Sequence, residues 1–179
     1  MIDLYLRNNT KILKNKSFLE KELKISLEIK KSEVFIEGNS EDEFIAQQVI
    51  NAIDFGFNLK TALLIKKDDL IFEILRIKDY TKKKNLESVR SRIIGIRGKT
   101  LRTLTELSDC FFELNMNEIG IIGMPENIKK VNNSIISLIR GSKQANVYRF
   151  LEKHRPEIIT DLGLKEKSLN KPKKEKQNK

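Results

Sequence analysis

A chain of 179 residues has room for one compact domain or two small ones. It carries 35 Lys and Arg against 25 Asp and Glu, a formal net charge of +10, which suits a polyanionic partner such as nucleic acid or an acidic membrane surface. No apolar run approaches the roughly 20 residues of a membrane span, and one Cys, Cys110, with one His, His154, excludes both an internal disulfide and a Cys/His zinc site within one chain. The lone Cys fits a reducing compartment, and the start, Met1-Ile2-Asp3-Leu4, shows no signal-peptide pattern.

Ile2, Leu4 and Leu6 alternate with Asp3 and Tyr5, which predicts a strand over 2–6. Phe18, Leu19 and Leu23 predict a short helix. Leu27-Glu28-Ile29 and Val34-Phe35-Ile36 read as two strands around a polar turn from Lys30 to Glu33. Ser40-Glu41-Asp42-Glu43 has the form of a capping box, opening a helix that buries Ile45, Val49 and Ile53 and ends at Gly56. Asn58 is placed to cap a further short helix through Ile65.

A second cycle begins at Asp69. Leu70 to Lys78 predicts a strand, Lys82-Lys83-Lys84-Asn85 a basic loop, and Leu86, Val89 and Ile93 a helix that stops at Gly95. A new helix opens near Lys99 with Leu101, Leu104 and Leu107. Cys110, Phe112 and Leu114 alternate as a strand, and Ile119 and Ile121 as its partner. Gly123 is expected to turn the chain into a helix striped by Ile128, Val131, Ile135 and Ile139, which Gly141 ends. Gln144 to His154 predicts one more helix, with Val147, Phe150 and Leu151 apolar. From Lys165 on the chain has seven Lys, two Glu and no aromatic residue, so disorder is expected there.

The two cycles repeat one another. Leu27-Glu28-Ile29 lies opposite Phe112-Glu113-Leu114 at an offset of 85 (112 − 27 = 85), and Val34, Ile36 and Gly38 lie opposite Ile119, Ile121 and Gly123. The order strand–helix–helix–strand–strand–helix is that of a eukaryotic-type (type I) KH module, so the expected fold is α+β, with two tandem KH domains, each a three-stranded sheet packed with helices. The expected division is 1–67, a degenerate KH-like domain; 68–141, an intact KH domain; 142–164, a C-terminal helical extension; and 165–179, the basic tail. The first copy has no glycine before Gly38, hence no Gly-x-x-Gly loop, and its first helix, between Arg7 and Lys16, reads as shortened or lost.

The second copy keeps the loop, in Arg92-Ile93-Ile94-Gly95-Ile96-Arg97-Gly98-Lys99. Two glycines allow a tight turn and a close approach by another backbone, and a helix opening after Gly98 turns its positive end toward the loop. A KH module clamps about four nucleotides of a single strand. On that reading Gly95, Ile96 and Gly98 meet the nucleic-acid backbone. Arg97 and Lys99 neutralise phosphates, with Arg90, Arg92 and Arg102 within reach on the flanking helices. Ile94, Leu101 and Leu104 are candidates for the apolar floor, some of them shared with the core. Phe111, exposed by the strand alternation, could stack on a base or pack at an interface. Cys110 reads as a small buried hydrophobe, His154 as an ordinary surface residue, and Glu28, Glu113 and Glu118 as solvated. No paired carboxylates, Ser/His set or Walker loop stands out, so the reading is non-catalytic, without cofactor or metal. A protein-binding adaptor, a KH subunit of an RNA-degrading complex and a translational regulator are the alternatives.

The chain also resembles the Partner-of-Nob family of ribosome-assembly factors over residues 2–155. The residues that carry this are Ala52-Ile53-Asp54-Phe55-Gly56-Phe57 leading to Ala62-Leu63, Asp68-Asp69-Leu70 with Ile77-Lys78-Asp79-Tyr80, the stretch Arg92 to Thr100, and Gly141-Ser142-Lys143 with Val147-Tyr148. The resemblance implies two KH domains side by side, binding to single-stranded RNA near the 3′ end of small-subunit ribosomal RNA in a pre-small-subunit particle, and partnership with the endonuclease that matures that end. It implies an archaeal-type cytoplasmic protein, since the long N-terminal extension of eukaryotic members is missing. Archaeal-type members often keep glycines in the first loop; around Thr10 to Lys16 this chain departs from them, and RNA binding is not carried over to the first domain.

Overall fold

A computed structural model describes residues 2–154. Two three-stranded antiparallel sheets, in the orders β1-β3-β2 and β4-β6-β5, each sit beside their own helices. The first sheet is β1 (Ile2–Tyr5), β2 (Ser26–Lys30) and β3 (Glu33–Glu37); its helices are α1 (Thr10–Lys14), α2 (Lys16–Leu23), α3 (Ser40–Phe55) and α4 (Leu59–Lys67). The second sheet is β4 (Ile71–Arg76), β5 (Phe111–Asn115) and β6 (Glu118–Gly123), with α5 (Glu87–Ile94), α6 (Lys99–Ser108), α7 (Pro125–Arg140) and α8 (Gln144–Lys153). Among the described residues no helix is long and apolar enough to cross a membrane.

The offset of 85 runs further than the strands. It relates α3 to α7 end for end, Gly56 to Gly141, and the start of α4 to the start of α8 (144 − 59 = 85). Residues 144–153, expected as an extension, therefore occupy the place that α4 holds in the first cycle; residues 155–164 and the basic tail lie outside the described residues. Ahead of β2 and β5 the offset fails, because the second cycle has a 3₁₀ turn (Ile77–Tyr80), the Lys82–Lys84 loop and Gly95–Gly98 that the first lacks. In the first cycle α1 survives with five residues and meets α2 at a single residue, Asn15, with φ −116°. No residue from Ile2 to Leu23 has a positive φ. There is a corner between these helices but no loop.

Local signals worked with small shifts. Asn58 caps α4 through its Oδ1, which accepts the Thr61 N–H at 2.8 Å. At α3 the cap moves back one residue, to Asn39, and no side chain caps there; Glu43 reaches back to accept from the Gly38 N–H at 3.0 Å instead. The buried face of α3 is Ala46, Val49, Ile50 and Ile53, with Ile45 at its margin. Gly123 does not make the turn into α7, which starts with Met124 as cap and Pro125 in its first turn. Gly123 ends β6 beside Cys110, whose Sγ would stand 2.5 Å from a Cβ placed there.

Two apolar cores result, and one strand belongs to both. Ile119 and Ile121 of β6 face the second core, while Ile122, on the other face, packs into the first. Phe72 of β4 and Phe111 of β5 flank Ile122 in register and join it there. Phe111 is thus half-buried at the joint between the cycles, which decides for interface packing over an exposed face. The corner after α3 presses on the same surface. Phe55, Phe57 and Phe72 form a cluster with centroids 5.8–6.3 Å apart, mostly edge-on, a favoured arrangement for aromatic pairs. A Cβ on Gly120 would lie 2.7 Å from the Phe55 ring and 2.8 Å from the Phe57 ring, so only glycine admits them. Polar contacts close the rim: Asn115 Nδ2 donates to the Phe55 carbonyl at 2.9 Å, and Arg7 pairs with Glu118 at 2.9 Å. Asp54 accepts the N–H groups of Arg7 and Asn8 at 3.1 and 2.8 Å, fixing the approach to α1. Asp54, Phe55 and Phe57 thereby each have a structural task, and Gly56 between them ends α3 at φ 142°.

Candidate nucleic-acid interface

The helix pair α5–α6 cannot run straight through, because Gly95 has φ 74° and ψ 175°, Arg97 φ 52° and Gly98 φ 75°. Three positive φ values in four residues need glycine at two of them, and Arg97 adopts the left-handed conformation under constraint from both sides. The Gly98 N–H closes the turn on the Gly95 carbonyl at 3.2 Å. α6 begins at Lys99, so the positive end of its dipole lies at the turn.

The two glycines do different work. A Cβ on Gly95 would overlap Thr100 Oγ1 and come within 2.7 Å of the Thr100 nitrogen, so this glycine is needed by the protein itself. Around Gly98 a Cβ would meet nothing within 4 Å. That face is open, and whatever approaches it comes from outside.

The loop projects from the surface. Ile96 is 86 % exposed, and Arg92, Arg97, Lys99 and Arg102 are exposed too. None of these four cations has an acidic partner within ion-pair distance among the described residues. Arg90 stands apart: half-buried, it donates to the Met116 carbonyl at 3.3 Å and ties α5 to the β5–β6 turn. Of the apolar candidates, Ile94 and Leu101 are half-buried beside the loop, whereas Leu104 is wholly buried in the second core. Cys110 is buried, and burial pushes its thiol up to about 11. Burial also raises Glu113, with Lys11 opposing the shift; its side chain lies against Gly56 at the joint. His154 is exposed, stacks on Phe150 at 4.3 Å, and its Nδ1 is 2.7 Å from the Phe150 carbonyl.

One residue of the site has no signal in the sequence beyond its place at a helix start. Gln144, at the start of α8, donates through Nε2 to Thr100 Oγ1 at 2.8 Å and to the Arg92 carbonyl at 3.2 Å. It fastens the end of α5 to the start of α6 across the loop. The nearest sequence signal is the neighbouring Gly141-Ser142-Lys143, and nothing in it marks a glutamine as a brace.

Residues 71–156 match the family model described as the eukaryotic-type KH domain, type I, in its PNO1 form. The KH domain-containing protein MJ0443 of Methanocaldococcus jannaschii is 31 % identical over 150 residues, covering 80 % of this chain and 66 % of that protein. The chain belongs to the PNO1/Dim2 family of KH-domain proteins. Dim2p of Pyrococcus horikoshii superposes with a TM-score of 0.76 at 28 % identity, covering 85 % of this chain and 98 % of that one. The pre-rRNA-processing protein PNO1 of Coccidioides immitis is 30 % identical over 136 residues, covering 73 % of this chain and 53 % of the relative. The chain thus spans about two-thirds of the Methanocaldococcus relative and about half of the Coccidioides one. In this PNO1/Dim2 chain the exposed turn is the Gly-x-x-Gly loop of the matched KH domain.

Proposed function

We propose that this PNO1/Dim2 chain is a non-catalytic RNA-binding assembly factor of the small ribosomal subunit. It holds single-stranded RNA near the 3′ end of the small-subunit rRNA and assists its maturation by a partner endonuclease in the cytoplasm. The observation that carries the reading is the open face at Gly98, flanked by Arg92, Arg97, Lys99 and Arg102, cations without an acidic partner among the described residues. The pre-rRNA-processing role in the name of the Coccidioides relative supports it.

The parts divide as follows. The RNA backbone runs past Gly95, Ile96 and Gly98; Arg97, Lys99 and Arg102 neutralise phosphates, and Arg can fork two bonds to one of them. Ile94 and Leu101 carry the bases, and Arg90 sets the groove's far rim through its bond to Met116. The unit 68–141 is the RNA clamp. The unit 1–67 is a degenerate KH domain: with α1 and α2 joined at Asn15 it has no loop to pass a phosphate backbone, and it serves as a packing partner through Phe55 and Phe57.

Crosslinking in cells tests the reading. Recovered RNA should map to the 3′ region of small-subunit rRNA, with crosslinks at residues 94–102. Crosslinks spread over messenger RNAs would favour a translational regulator, and protein crosslinks that persist after nuclease, without RNA, would favour an adaptor.

A further inference from the structure

We propose a second phosphate subsite in the cleft between the end of α5 and the start of α8, built from Arg92 and Lys143. It takes the RNA backbone beyond the nucleotides held at Gly95–Gly98, and so rests on the function proposed above. The cleft has a volume of about 460 Å³ and is lined by Arg92, Gly141, Ser142, Lys143 and Gln144. Two cations, a hydroxyl and an amide face it, with no carboxylate among the described residues that line it. A polyanion is the ligand this lining fits.

The internal repeat points the same way. At the offset of 85, Arg140, Gly141, Ser142 and Lys143 stand where the first unit has Phe55, Gly56, Phe57 and Asn58. In the first unit that corner is apolar and buried against the second sheet through Gly120. In the second unit the two phenylalanines are replaced by Arg140 and Ser142, and residues 140–143 are all exposed. The corner is built to face water and charge rather than another sheet.

Two contacts join the cleft to the loop. Gln144 bonds both to Thr100, which packs under Gly95, and to the Arg92 carbonyl. Gly141, at φ 110°, leaves Arg92 uncovered, since a Cβ there would stand 3.2 Å from Nη1. The guanidinium thus faces the cleft while its backbone leads into the loop. A single strand leaving the loop on this side passes from Arg97 and Lys99 to Arg92 and Lys143 without crossing an acidic residue of the lining.

The experiment compares two fluorescein-labelled RNAs from the 3′ end of small-subunit rRNA, one of about four nucleotides and one of about eight, the shorter matching the span of a KH clamp. Anisotropy titrations use the full chain, Lys143→Gln, Lys143→Arg and Gly98→Asp. With a loss of about 0.7 in log–log salt slope per contact, Lys143→Gln should weaken the longer RNA about fivefold at about 0.1 M salt relative to 1 M. The shorter RNA should be unaffected, and Lys143→Arg should behave as wild type. Equal weakening of both RNAs, or of neither, overturns the subsite while the clamp stands, provided Gly98→Asp impairs both. If the wild-type chain binds neither RNA, the clamp and the subsite fall together.

Discussion

The Gln144 side chain donates to Thr100 Oγ1 at 2.8 Å, on the same hydroxyl that fills the space where Gly95 would carry a Cβ. A residue 49 positions downstream thereby helps set the loop (144 − 95 = 49). Replacing Gln144 by Ala removes two hydrogen bonds, and about 1 kcal/mol each is the usual net worth. Amide hydrogen exchange at residues 95–100 should rise well above the change elsewhere in the second unit, and RNA affinity should fall with it. A uniform rise across α5, α6 and α7 would instead mark Gln144 as a general stabiliser.

The two glycines should respond unequally to alanine. At Gly98 the cost is the left-handed backbone alone, on the order of 1–2 kcal/mol. Gly95, at φ 74° and ψ 175°, lies in a backbone region essentially reserved for glycine, and that strain is joined by overlap with the Thr100 backbone, which cannot rotate away. Urea unfolding should therefore rank Gly95→Ala well below Gly98→Ala in stability. Equal midpoints would mean that the loop relaxes around Thr100.

Much of this was legible in the residues. Period-two and period-three-to-four apolar patterns placed the strands and helices, because one face of each lies on a core. The 85-residue offset announced two similar units. What the pattern hid was the second face of the second sheet. Alternation made Phe111 look exposed, yet Phe55 and Phe57 cover that face, and a contact between units leaves no periodic trace in either. Gly123 misleads as a turn signal and Gly120 gives none, because the role of each is room for a neighbour, not a positive φ. Leu104 and Leu101 share a helix face, and only packing decides that the first is core and the second lies beside the loop. Gln144 went unseen for a similar reason, since a polar brace has no pattern of its own.

The joint between the units rests on aromatic packing, so it should be costly to disturb. Phe55→Ala should destabilise by about 3–5 kcal/mol, as large aromatic truncations in cores do. Gly120→Ala should cost about 1–3 kcal/mol by overpacking against both rings. Calorimetry of the wild type should show one transition, and Phe55→Ala should separate it toward two. A single unshifted transition in Phe55→Ala would contradict the joint.

The buried thiol makes a pH prediction. With its folded pKa raised from 9.0 to about 11, Cys110 keeps its proton in the folded chain while the unfolded chain gives it up. The folded form binds more protons in that window, so stability falls as pH rises from about 9 to about 11. Cys110→Ala should lack this part of the fall, and the native thiol should resist Ellman's reagent at pH 8 until the chain is unfolded. Rapid reaction of the native chain would show that Cys110 is accessible.

The most direct measurement is RNA binding by Gly98→Asp, in which a carboxylate is placed on the open face without a clash inside the protein. The wild-type chain should bind single-stranded RNA from the 3′ end of small-subunit rRNA with a log–log salt slope near −3, taking about four phosphates at about 0.7 each. Gly98→Asp, folded by circular dichroism, should lose at least about tenfold in affinity and show a shallower slope. A folded Gly98→Asp chain with wild-type affinity and slope would contradict the role assigned to Gly95–Gly98.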